Sequence, residues 1–144
     1  MISGLTNSGA TPALEKLMQF SARRHEVLAN NIANLSTPGF RPEDVSVVGF
    51  QQQLGEAIDH QRLSPTARSG ELRVKDTSEV QVRSGRLTLA PQPTGENLLF
   101  HDGNDRNLER TMQDMVENFM AFRTAAQFMR REFDTLRTVI RERM

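Results

Sequence analysis

The chain has 144 residues, enough for one domain of ordinary size, and carries 18 basic against 18 acidic side chains. Zero net charge gives no field to draw in nucleic acid or an anionic membrane, and it suits a subunit made to associate. Cysteine is absent, which excludes disulfides and thiolate metal sites, and no apolar run approaches the roughly 18 residues of a membrane-spanning helix.

Eight phenylalanines are the only large aromatic residues. Without Trp or Tyr the chain lacks the amphipathic rings common in ligand pockets and membrane belts. Of the basic residues only Lys16 and Lys75 are lysine, and the arginine bias fits bidentate contacts at interfaces. The start, MISGLTNSGATP, has neither a basic n-region nor an apolar h-region, so no cleaved secretory signal is expected.

In chain order, residues 1–11 are small and polar and read as a flexible N-terminus. Thr11-Pro12 is a fitting helix opening, with a capping hydroxyl and then proline at the first helical position. Ala13 to Asn34 holds no Gly or Pro. Leu14, Met18, Ala22, His25, Leu28 or Ala29, and Ile32 lie along one face, with Arg23, Arg24 and Glu26 mostly outside it. A helix over about 12–34 is expected, closed by the Pro38-Gly39 turn. Asn30, Asn31 and Asn34 are unfavourable inside a helix, and their position before that turn assigns their amides to the orphan carbonyls of the last turn.

Residues 41–104 differ in kind, holding six of the nine glycines and four of the six prolines. Phe50, Leu54, Ala57 and Ile58 predict one short helix. Leu72-Arg73-Val74, Val80-Gln81-Val82 and Leu87-Thr88-Leu89 alternate as half-buried strands do, with Ser84-Gly85 as a hairpin turn. So few large apolar residues predict a loop-rich segment with no deep core of its own.

From a cap near 104–107 to the end there is no Gly or Pro. Leu108, Met112, Met115, Phe119, Phe122, Ala126, Met129, Phe133, Leu136 and Ile140 repeat with 4-3 spacing, and all are apolar. Acids weight the first half and Arg130, Arg131, Arg137, Arg141 and Arg143 the last turns, as the helix dipole favours. At ~1.5 Å per residue the two long helices measure about 35 Å and 58 Å, so the C-terminal seam outruns its partner by roughly 20 Å. The fold class expected is mainly α: long terminal helices packed as an antiparallel coiled-coil-like pair, with a Gly/Pro-rich loop and a weak β middle segment.

Chemistry finds little support. His25, His60 and His101 fall on three different elements, with no spacing for a metal. Asp102-Gly103-Asn104-Asp105 hints at a calcium loop, but Arg106 and Asn107 stand where ligand and glycine belong. No nucleophile elbow occurs. No catalytic, metal or cofactor-binding residue is assigned, and the Met-Phe stripe reads as a packing seam.

The two ends carry a resemblance. HEVLANNIANLSTPGF followed by RPEDV resembles the N-terminal signature of the flagellar rod and hook protein family. NLERTMQDMVENFMAFRTAAQFMRREFDTLRTVIRER is similar to the C-terminal helix of its proximal rod members. Phe40 and Phe122 stand where tyrosine is common in that family. The resemblance implies a structural, non-enzymatic subunit of the basal-body rod, exported through the flagellar type III apparatus without a cleaved signal. It implies terminal helices that polymerise, self-association, and contacts with other rod proteins, the junction protein FliE and the export gate. Nucleic acid, small-molecule substrates and membrane insertion are not implied. The N-terminal motif is Asn30, Asn31, Ile32, Ala33, Asn34, Thr37, Pro38, Gly39 and Phe40. The domains expected are 12–40 and 105–144 as one axial helical unit, with 41–104 between them. Another axial protein of the family, or a coiled-coil protein unrelated to flagella, stays an alternative.

Overall fold

A computed structural model describes residues 10–63, 72–94 and 108–142. Among these residues three helices, α1 (Thr11–Ala33), α2 (Val47–Leu63) and α3 (Leu108–Glu142), make the fold mainly helical. Four short strands, β1 (Glu43–Asp44), β2 (Val80–Arg83), β3 (Arg86–Leu89) and β4 (Gln92–Pro93), form two antiparallel pairs, β1 with β4 and β2 with β3.

The ends of the elements follow from local chemistry. α1 stops where Asn34 turns its amide onto the Asn30 carbonyl, 2.9 Å away. The chain then reverses through Gly39, whose φ of +74° lies in the left-handed region. α2 opens on Ser46, whose Oγ accepts the Gly49 N–H at 3.0 Å, while the Glu79 carboxylate accepts the Ser46 N–H at 2.6 Å. The β2–β3 turn puts Ser84 at φ +50° and Gly85 at φ +77°, the mirror-image turn that matches strand twist.

α1 serves two neighbours. One side covers a core built largely from the middle of the chain: Val45, Phe50, Leu54, Ala57, Leu72, Val74, Val80 and Leu87, closed by Phe20. Phe20 and Phe50 stack with ring centroids 4.0 Å apart, and each buried ring contributes about 1.5–3 kcal/mol. Lys16 Nζ and Gln19 Oε1 tie this side to the hairpin, through the Gly85 carbonyl at 2.6 Å and the Leu87 N–H at 3.1 Å. The other side carries α3. Arg24 meets Asp114 and Ser21 meets Asn118, so the two long helices run antiparallel. At ~1.5 Å per residue they span about 35 Å and 52 Å, and α3 overhangs α1 by some 18 Å.

Several expectations are corrected. Thr11 is not the cap: the helix already includes it, and Ala10 precedes it without a side-chain cap bond. Leu72–Val74 is part of no strand among the described residues, though its two apolar side chains are buried. The middle has a core after all, because its scattered apolar residues pool beneath α1. On α1 the buried face is turned away from the expected stripe: Ala22, His25 and Ala29 are exposed, whereas Lys16, Phe20, Ser21, Arg24 and Asn31 are buried. His101, Asp102–Asp105 and the start expected for the last helix lie outside the described residues.

Candidate assembly interface

The junction of α1, β1 and α3 centres on Arg24. Its Nε and Nη2 donate to the two carboxylate oxygens of Asp44 at 2.8 and 2.6 Å, a bidentate pair. Asp44 Oδ1 also accepts the Val45 N–H at 2.8 Å. Asp114 on α3 stands 3.9 Å from the same guanidinium. Burial opposes the charge of Arg24, but the hydrogen bond and charge of Asp44, helped by Asp114 and Glu117, raise its pKa above the ordinary value. Burial raises the Asp114 carboxyl above its usual range, and Arg24 only partly offsets this.

A second clamp lies two turns further along α1. Asn31 Nδ2 donates to the Glu43 carbonyl at 2.7 Å, and the Glu43 N–H donates to Asn31 Oδ1 at 3.1 Å. One side-chain amide thus acts as a strand partner for the returning chain. Asn31 therefore works outside its helix, unlike Asn34, which caps it. Thr37, Pro38 and Gly39 shape the turn, whose backbone bonds run from the Thr37 N–H to Asn34 and from the Phe40 N–H to Thr37. Ile32 is half-buried, and Asn30 and Ala33 are exposed.

The face that α3 turns to α1 is made of two heptad lines. Thr111, Asn118, Ala125 and Glu132 form one, with Asn118 only 5 % and Ala125 only 1 % exposed. Met115, Phe122, Met129 and Leu136 form the other, all half-buried. The expected seam paired this second line with Met112, Phe119, Ala126, Phe133 and Ile140. Of those five only Ala126 is half-buried; Phe119 stays 49 % and Phe133 41 % exposed, and Met112, Ile140 and Leu108 are exposed too. The seam is thus split: half flanks the contact and half faces outward. The polar line was missed because Thr, Asn, Ala and Glu read as a solvated face. Its one signal was the seven-residue recurrence of small or hydrogen-bonding side chains.

Near the overhang, Met18, Ala126, Met129 and Phe133 line an open groove of about 420 Å³ with Arg130, Asp134 and Arg137 at its rim. Among the described residues no cluster of His, Asp or Glu has the arrangement of a metal site, and no helix is long and apolar enough to cross a membrane. His25 and His60 are exposed on separate helices.

Sequence comparison bears on this geometry. Residues 18–41, the stretch from mid α1 through the Gly39 turn that holds Arg24 and Asn31, match the family described as flagella basal body rod protein. The class is therefore that of structural components of the flagellar rod, not a family of enzymes. The flagellar basal body rod protein FlgB of Aeromonas hydrophila is 30 % identical over 108 residues, 75 % of this chain and 74 % of that one. Those of Yersinia enterocolitica and Aquifex aeolicus are each 29 % identical, over 81 % and 90 % of this chain and 82 % and 90 % of theirs. The chain belongs to the FlgB family of flagellar basal body rod proteins.

Proposed function

We propose that this rod subunit polymerises through its terminal helices, with the outward half of the α3 seam as the surface that meets neighbouring subunits. The observation that carries this is the exposure of Met112, Phe119, Phe133 and Ile140 along one side of a helix already docked by its other side. Burying each such side chain is worth about 1.5–3 kcal/mol, which the isolated molecule forgoes. Coiled-coil-like packing between subunits would use Leu108, Met112, Phe119, Ala126, Phe133 and Ile140, while Met115, Phe122, Met129 and Leu136 of the same seam stay against α1. Residues 12–40 and 105–144 then form the axial helical unit, and 41–104 the lobe outside it. The Asn30–Phe40 motif sets where the chain leaves that axis. Zero net charge removes long-range repulsion between copies.

In this reading the partners are further copies and other rod proteins, with the junction protein FliE and the export gate at the base. The site of action is the basal-body rod across the periplasm, reached by flagellar export without a cleaved signal. No catalysis, cofactor, nucleic acid or membrane insertion enters it. Introducing charge on the outward line tests the proposal. Phe119→Asp or Phe133→Asp is expected to leave the subunit folded, since both side chains are already half in water, and to abolish rod assembly and swimming. Normal motility in either strain overturns it.

A further inference from the structure

We propose that Asn118 is a positioning residue that fixes the register of α3 on α1. Its Nδ2 donates to the Ser21 main-chain carbonyl at 2.8 Å, 97 positions away in sequence, and the bond is buried. That carbonyl belongs to the interior of α1 and uses its second lone pair to accept the amide. Such an approach needs a small side chain on the accepting helix, and Ser21 provides one. Seven residues to either side on the same face stand Leu14 and Leu28. A slip of one heptad would set the amide against a leucine that covers the backbone, leaving it buried and unbonded. An unsatisfied buried amide is costly, whereas apolar seam residues exchange places at little cost. Ala125, one heptad along the same line, has no hydrogen-bonding side chain. Arg24 and Asp114, one turn away, meet in the same register, but at 3.9 Å and with the guanidinium already held by both oxygens of Asp44. The assignment concerns pairing within one subunit and holds whatever the outward line of α3 contacts.

The absence of native cysteine allows a direct test. A disulfide forms when Cα atoms lie within about 7 Å, and one heptad displaces α3 by about 10 Å. In the full chain, Leu14→Cys with Ala125→Cys reports the native register, and Leu14→Cys with Glu132→Cys reports a one-heptad slip. With Asn118 present, oxidation is expected to favour the first pair at least tenfold. Asn118→Leu keeps the branched shape but removes the hydrogen-bonding atoms, so the preference is expected to fall to within threefold while the melting temperature does not drop. Asn118→Ala, small enough to sit beside Ala125, is expected to lower the preference in the same way and covers the case in which leucine fails to fit. An unchanged tenfold preference in either folded variant overturns the assignment. A purely structural role would lower the melting temperature and leave the ratio alone.

Discussion

Asp114 shows how a single carboxylate at the helix junction responds to two opposed influences. Burial drives its pKa up from 3.8, Arg24 and Arg110 pull it down, and Asp44 and Glu117 push it up again, with a net rise. An acid with a higher pKa in the folded state binds its proton more tightly there. Ionising Asp114 therefore costs stability; the cost is absent below the unfolded pKa and complete once pH exceeds the raised folded one. Asp114→Asn is expected to match the parent near pH 4 and to equal or exceed it at pH 7, by under about 1 kcal/mol because water reaches the site. Urea unfolding at the two pH values checks the sign, and a variant clearly weaker at pH 7 contradicts it. Arg24 shifts the other way in effect: its raised pKa keeps it charged at every working pH.

At the scale of elements, the chain is joined by side chains that stand in for backbone partners. Asn31 bonds both main-chain groups of Glu43, and β1 is only two residues long. Asn31→Ala leaves a partly buried N–H and C=O without these partners and is expected to cost about 1–3 kcal/mol by denaturant unfolding. A change below 0.5 kcal/mol, the ordinary reach of a surface substitution, would show that β4 alone holds the strand. Sequence made some of this visible. Pro12 and the Gly-free run to Asn34 mark α1, Pro38-Gly39 its end, and Ser84-Gly85 between alternating triplets the hairpin. The β1–β4 pair was illegible because two-residue strands 49 positions apart leave no periodic trace. The core was illegible for a related reason. Phe50 with Leu54, Leu72 with Val74, and Val80 with Leu87 come from separate stretches, and nothing in their spacing shows that they meet beneath Phe20 in one cluster. On α3 the apolar heptad is plain, but which side of it meets α1 is decided by Ser21, Asn118 and Ala125, whose small or polar side chains allow close approach.

The whole molecule joins two kinds of stability. The lobe around Phe20 and Phe50 has a buried apolar core. The long helix pair is held through a polar and small-residue line flanked by Met115, Phe122, Met129 and Leu136, while α3 displays Met112, Phe119, Phe133 and Ile140 outward and continues past the end of α1. In the function proposed, such a division would keep a subunit folded before assembly and reserve apolar area for its neighbours. The middle segment, expected to lack a deep core of its own, shares one with Phe20 of α1, and α3 at 35 residues is longer than α1 at 23. Thiol labelling of Phe119→Cys tests the division most directly, with Gln127→Cys as an exposed reference on the same helix. In the isolated subunit the two cysteines are predicted to react at rates within a few-fold of each other. In purified rods Phe119→Cys is predicted to be protected at least tenfold relative to the isolated subunit. Protection already complete in the isolated subunit, or unchanged reactivity in the rod, would contradict the account.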